Sequence, residues 1–208
     1  VPATAAAQPF GAKRPELERN PPFVATERAR FTEPWAITFL PDGRLLVTEK
    51  AGTLHLFDPA SGQTGTILGG PQVAYGGQGG LGDVVLHPGF ATNRWVYISY
   101  AEAGGSGTYG AVVARGTLTL NAGSQNGSLS DWVVVWRQSP KVSGQGHYSH
   151  RLAFDAGGKL WITSGDRQKG SPAQDLGQNL GKVLRLNADG SVRADNPFVA
   201  QGGVAAQV

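Results

Sequence analysis

The chain has no cysteine among its 208 residues. Disulfides and thiolate metal sites are therefore excluded. An exported protein can lack disulfides, so the compartment stays open on that ground. Methionine is absent too. Charge is sparse: Asp, Glu, Lys and Arg make up 16% of residues, for a net charge of +3. The eighteen Lys and Arg are scattered rather than clustered. That lacks the basic footprint of a nucleic-acid binder, and no nucleic-acid partner is expected. No apolar run approaches the roughly 20 residues a membrane-spanning helix needs. No Walker-type phosphate loop occurs. No amphipathic helix of ordinary length is evident either. The best stretch, Ala173–Leu180, is short and broken by Gly177.

What is abundant is glycine, 31 residues, with 13 prolines. The glycines follow no three-residue period, so the chain is not collagen-like. Five Trp, five Tyr and eight Phe supply bulky core. Short apolar runs between turn residues suit an all-β protein. Residues 1–22 are Ala- and Pro-rich and are expected to form a mobile N-terminal arm. The opening Val1–Pro9 resembles the arm left after a signal peptide is removed, which points to a periplasmic or secreted protein.

From residue 23 onward one pattern recurs three times: strand, turn, strand, loop, strand. The first copy runs Ile37–Thr48 and Gly52–Phe57, with Pro41-Asp42-Gly43 as its turn. The second combines Asp83–Pro88, Trp95–Tyr100 and Ala111–Arg115. The third combines Leu152–Thr163 and Lys182–Leu186. Gly supplies positive φ in such turns, and Asp bonds back to its own backbone. The spacing is irregular. Small antiparallel sheets repeated along a chain predict a β-propeller, and three blades do not close a ring. Residues 23–208 are therefore read as part of a larger propeller.

Several motifs have plain readings. Gly105–Gly110 fits a dinucleotide fingerprint, but a strand follows it where a helix is required, so it reads as a hairpin loop. The glycine-rich segment Gly76–Asp83 reads as a flexible inter-blade loop; the alternative is that it lets backbone approach a ligand closely, with Gln78 as its only long polar side chain. His55 alternates with Leu54 and Leu56 and reads as an outward strand residue. His87, before Pro88, reads as structural.

The chemistry-bearing stretch is Gly146–Leu152 with Ser164-Gly165-Asp166-Arg167. His147 precedes a strand-like run and Asp166 follows its return. If the run is one hairpin, both fall at the same end. A histidine oriented by a carboxylate is a suitable general base near neutral pH. His147, His150 and Asp166 could also suggest a metal site. No helix sets them at ligand spacing, and no metal site is expected from them.

Taken together, the motifs resemble those of the glucose/sorbosone dehydrogenase family, in particular its soluble aldose sugar dehydrogenases that use pyrroloquinoline quinone (PQQ). The likeness runs from about Phe23 to Val208. It rests on Pro34–Ile37 and Pro41–Glu49, Gln78–Leu81, His87–Phe90 with Asn93-Arg94, and His147 with Arg151-Leu152. Gly165–Arg167, Ala173–Asp175, Leu180–Lys182, and Asp189-Gly190 with Asp195–Phe198 complete it. The resemblance implies a six-bladed propeller for the complete protein, of which this chain is the N-terminal half. It implies His147 as catalytic base, Asp166 as its acidic support, Gln78 as a residue of the cofactor and sugar site, and Arg151 as structural support. It implies oxidation of the anomeric hydroxyl of an aldose to a lactone, with PQQ as hydride acceptor and an external electron acceptor. Calcium is the second implied cofactor, with ligands expected beyond Val208, as are an Arg-Asn pair and other basic groups for the quinone. This chain alone is thus expected to be inactive, and to pair with the missing C-terminal half or to self-associate. Two positions depart from the family pattern: His150, where a small residue is usual, and Gly146, where some members carry an acid. Altered sugar contacts at the rim are expected from them. Two other readings compete. One is a non-catalytic propeller of the same descent that serves as a binding module, favoured if the complete gene lacks the Arg-Asn pair. The other is a propeller lactonase, which needs a cluster of calcium-binding carboxylates and Asn that this sequence does not display.

Overall fold

The structure, a computed structural model, describes residues 23–208. The expectation of an N-terminal arm over 1–22 lies outside them. The chain divides into Val1–Arg30 and Phe31–Val208. Within the first unit, residues 23–30 form no regular element, and Arg30 pairs with Glu27.

The second unit is all β with short turns. Four antiparallel strands make the first blade: β1 (Pro34–Phe39), β2 (Leu45–Glu49), β3 (Leu54–Phe57) and β4 (Thr64–Leu68). The second blade comprises β5 (Leu81–Leu86), β6 (Trp95–Ala103), β7 (Thr108–Leu120) and β8 (Gly127–Arg137). A one-turn helix, α1 (Phe90–Asn93), joins β5 to β6, and the short β9 (Val142–Ser143) pairs with β7. The third sheet holds β10 (Ser149–Phe154), β11 (Leu160–Ser164) and β12 (Lys182–Leu186). The outer strands β4 and β8 touch in parallel at Ile67 and Gly127, which links the first two blades.

This is the expected propeller architecture, with one addition. The sequence reading gave each copy three strands, whereas blades one and two each have a fourth. For β8 the signal was present, since Trp132–Trp136 is an unbroken aromatic and β-branched run. For β4 it was faint: Thr64-Gly65-Thr66 is small and polar because this outermost strand is mostly solvent-facing. The Pro41-Asp42-Gly43 turn forms as expected, and Ala188-Asp189-Gly190 makes a second such turn, both with glycine at φ 88°. Gly105–Gly107 is the β6–β7 hairpin loop.

Strand alternation explains how blades stack. In the second blade, Val96, Ile98, Val112 and Ala114 face the first blade and join Leu46, Leu56 and Ile67 in one apolar cluster. Their neighbours Tyr97, Ala111 and Val113 face the third blade and join Leu160, Ile162 and Leu184 in another. A sheet buried on both faces needs apolar residues at both parities. The flanking blades do not have a neighbour on each side. Ile37 and Phe39 of β1 are 58% and 63% exposed, and Val183 of β12 is 53% exposed.

The first strands of the blades, β1, β5 and β10, pack side by side as a hub. Each carries a bulge where it opens: at Trp35, at Gly82-Asp83 and at His150-Arg151. A bulge leaves a backbone N–H without a ladder partner. The second strand supplies a hydroxyl every time. Ala36 N–H donates to Thr48 Oγ1 (3.0 Å), Asp83 N–H to Ser99 Oγ (2.7 Å) and Arg151 N–H to Thr163 Oγ1 (3.0 Å). The hydroxyl then reaches to the next blade. Thr48 donates to the Gly82 carbonyl (2.7 Å), and Ser99 lies 2.9 Å from His150 Nδ1. Trp35, Gly82 and His150 are thus equivalent positions of one repeat.

Candidate active site

The loops that open β5 and β10 lie together, and the turn after β11 joins them because β11 runs antiparallel to β10. Ser149 pairs with Ser164, which brings His147 and Asp166 to the same end. His147 Nδ1 lies 2.8 Å from Asp166 Oδ1. Gly165 makes this approach feasible: a Cβ there would sit 1.8 Å from the His147 carbonyl oxygen. The hairpin inferred from sequence is thus present, and it does bring the two residues into contact.

The electrostatics of the pair follow from its bonds. The hydrogen bond from His147, and then the Gln168 N–H at 3.0 Å, hold the Asp166 carboxyl below its ordinary value. An ionised carboxylate only accepts hydrogen bonds. The neutral imidazole therefore carries its hydrogen on Nδ1, and the lone pair is on Nε2. The His147 side chain is 53% exposed. Nε2 is thus the proton-accepting atom of a histidine open at the rim.

Gln78 contributes from the β5 side. Its Oε1 accepts the His147 N–H at 2.7 Å, and its own N–H donates to the Gln145 carbonyl at 2.7 Å. With Oε1 committed, its Nε2 is the part left to donate to a ligand. The surrounding glycines lie in close contact with other segments. A Cβ on Gly77 would meet the Gln145 carbonyl at 2.6 Å, on Gly79 the Tyr148 ring at 2.8 Å, and on Gly80 the Lys50 carbonyl at 2.0 Å. These glycines let protein segments pack against each other, as a loop between blades requires.

Arg151 lies to one side of the pair. Its Nε is 3.4 Å from the buried Asp83 carboxylate, and its guanidinium lies over Trp35. Burial pushes the Asp83 carboxyl up, while the Leu152 and Val84 N–H groups and Arg151 oppose this. His150 behaves differently from expectation. It is 1% exposed, packed between Trp35 and Tyr148, with its ring centroid 5.1 Å from that of Trp35. It points inward, so it is not a rim contact for sugar as its departure from the family pattern suggested. Gly82 gives it room, because a Cβ there would lie 2.1 Å from His150 Cε1. Burial, then the charges of Arg167 and Arg151, lower the His150 pKa to about 3. Ser99 Oγ accepts the Asp83 N–H and is also the hydrogen-bond partner of His150 Nδ1, 2.9 Å away.

His87 accepts hydrogen bonds at Nδ1 from the Gly89 N–H and the Asn93 amide and packs on Trp95 and Phe154, the structural role read from sequence. His55 is less outward than expected. It is partly buried, against Phe31 and 3.2 Å from Glu49 Oε2.

Two cations beside the site received no role from sequence. Lys182 Nζ donates to the carbonyls of Pro172, Ala173 and Leu180, tying down the loop before β12. Arg167 is 1% exposed and bonds carbonyls on the His147 loop. The available signal was their place in dense motifs of a charge-poor chain. Among the described residues, no group of three or more His, Asp and Glu could hold a metal ion. Nor, among the described residues, is any helix long and apolar enough to cross a membrane.

Comparison with known proteins follows the geometry. The family model described as Glucose / Sorbosone dehydrogenase matches residues 31–208. Aldose sugar dehydrogenase YliI of Escherichia coli is 38% identical over 180 residues, covering 86% of this chain and 47% of the relative. The crystal structure of the soluble aldose sugar dehydrogenase of Escherichia coli, in apo form, superposes with a TM-score of 0.78 at 39% identity, over 85% of this chain and 50% of that one. The PQQ-bound aldose sugar dehydrogenase of Streptomyces coelicolor superposes with a TM-score of 0.69 at 27% identity, over 81% and 48%. The chain spans about half the length of the relatives it matches.

Proposed function

The chain belongs to the glucose/sorbosone dehydrogenase family, and we propose that it carries the proton-abstracting side of a PQQ-dependent aldose dehydrogenase. The observation that carries this reading is the His147–Asp166 pair, exposed at the rim and bonded at 2.8 Å. In the complete protein, His147 Nε2 takes the proton from the anomeric hydroxyl of an aldose. The anomeric carbon gives up a hydride as the lactone forms, a two-electron oxidation. PQQ, when bound, supplies the hydride acceptor and passes electrons to an external acceptor. Asp166 favours the protonated imidazole by charge and fixes its tautomer. Gln78 holds the His147 backbone and has an amide donor left over, which suits the oxygen-rich surfaces of sugar and quinone.

This chain's share of a PQQ site is therefore one donor beside a base. The quinone's basic anchors and the calcium ligands belong, on this reading, to sequence beyond Val208. The same reading makes the remaining half of the propeller the partner of the exposed flanks at Ile37, Phe39 and Val183, and it assigns the protein to the periplasm or the exterior.

The test is His147→Ala in the full-length protein loaded with PQQ and calcium. Sugar-dependent dye reduction should fall roughly 100-fold or more, the usual share of a positioned base. Cofactor affinity, measured by titration, should change much less. Near-normal turnover would remove His147 from the mechanism.

A further inference from the structure

The backbone around His147 is wound in a way that few side chains favour. His147, Ser149 and His150 have φ of 47°, 56° and 46°, and Arg167 and Gln168 across the gap have 56° and 59°. Non-glycine residues in this region are uncommon, and they persist where the surroundings over-determine them. Here two facing segments share the feature, and one side chain connects them.

That side chain is Arg167. Its Nε donates to the Gly146 carbonyl at 2.8 Å, one amino group to the Gly144 carbonyl at 2.5 Å, and the other to the Tyr109 carbonyl at 2.8 Å. Its backbone N–H donates to the His147 carbonyl at 3.3 Å. The guanidinium lies over the Tyr148 ring, 3.6 Å from its centroid. Residue 167 thus grips the loop immediately before His147 and the carbonyl of His147 itself, while its neighbour Asp166 receives the imidazole.

A buried cation ordinarily has a carboxylate partner. Among the described residues Arg167 has none within ion-pairing distance; its donors go to backbone carbonyls and, at 3.5 Å, to Gln138 Oε1. Burial lowers its pKa accordingly. A planar fork with five N–H donors in fixed directions can bind carbonyls on two separate segments at once, whereas an ammonium is a single point. An arginine is specifically suited to this place, and the groups it fixes belong to the base.

We propose that Arg167 is a positioning residue for His147, clamping the Gly144 and Gly146 carbonyls from the segment that carries Asp166 so that the imidazole is delivered to the carboxylate. This rests on the reading of His147 as the base. The test uses Arg167→Lys in the full-length protein, which keeps the charge and loses the fork. Two readouts are taken on protein shown to be folded by thermal unfolding. With ¹⁵N-labelled histidine, the Nδ1–H signal of His147 held on Asp166 is identified by its loss in His147→Ala. Steady-state kinetics then give kcat and KM for an aldose.

Arg167→Lys should abolish the His147 Nδ1–H signal and lower kcat at least tenfold, with KM within about threefold of wild type. A preserved signal with wild-type kcat would overturn the proposal. If the signal is lost while the wild-type protein oxidises no sugar, the clamp stands and the assignment of His147 as base falls. Should Arg167→Lys not fold, Tyr148→Leu, which removes the ring under the guanidinium, takes the same two measurements. An unchanged signal and kcat there would also overturn it.

Discussion

Two histidines separated by only Tyr148 and Ser149 have opposite fates. His147 stands at the rim, over half exposed, with a carboxylate on one nitrogen and, among the described residues, no partner on the other. His150 lies inside the hub, bonded to a serine hydroxyl and sealed between aromatic rings. Residue type does not distinguish them. What does is the bulge that opens β10, which turns one imidazole out toward Asp166 and the other in toward Trp35. Exposure and a fixed acceptor make a histidine useful for proton transfer. Burial beside two arginines makes it a neutral packing group.

The comparison breaks most sharply if the two residues are exchanged in consequence. His147→Ala should cost turnover by the roughly 100-fold given above while leaving the thermal midpoint nearly unchanged. His150→Gly, which restores the commoner family residue, should do the reverse. It removes a fully buried ring and should cost about 3 kcal/mol of stability, as for other large-to-small core changes. The folded fraction should keep its turnover. A melt series with active-site titration checks both, and loss of turnover in well-folded His150→Gly would place it in the mechanism.

Acid should separate them next. The folded pKa of His150 is about 3, below the ordinary histidine value of about 6.5. The unfolded state binds the proton first, so this contribution to stability is complete above about pH 6.5 and is lost as pH falls toward about 3. The groups facing it are Arg151 and Arg167, both cationic, with Tyr148, Ser99 and Trp35. At about 1.4 kcal/mol per unit, roughly 2 kcal/mol should go between pH 6.5 and 5. Urea unfolding of wild type and His150→Gln across that range measures it. Equal slopes would show that His150 is not kept neutral by the fold.

Smaller effects sharpen the picture. Gly82→Ala should push on His150 and cost about 1–2 kcal/mol, with little change in turnover. Asp166→Asn keeps an acceptor oxygen but not the charge, and should lower kcat about tenfold without lowering the melting temperature. A wild-type rate in that variant would make the carboxylate dispensable.

Much of this was legible beforehand. Period-two apolar runs, Pro-Asp-Gly turns and their repetition gave blades, because side-chain alternation in strands is a local consequence of the pleat. His147 and Asp166 could be paired because a hairpin returns its ends to one place. The outermost strand β4 was hidden because a solvent-facing edge needs no apolar pattern. Which neighbours Gly79, Gly80 and Gly82 admit was not legible, because close approach looks the same in sequence whether the neighbour is a ligand or Tyr148, Lys50 and His150.

By itself, then, the sequence determined an all-β propeller, the turns, and a histidine and an aspartate destined for one end of a hairpin. The tertiary structure alone decided which histidine faces solvent, that Thr48, Ser99 and Thr163 satisfy the three hub bulges, and that Arg167 binds backbone rather than a carboxylate. The reason is range. Strand periodicity and turn chemistry act between residues a few positions apart. Bulge partners, glycine clearances and a buried guanidinium's acceptors come from separate strands and loops, and no local pattern records which of them will meet.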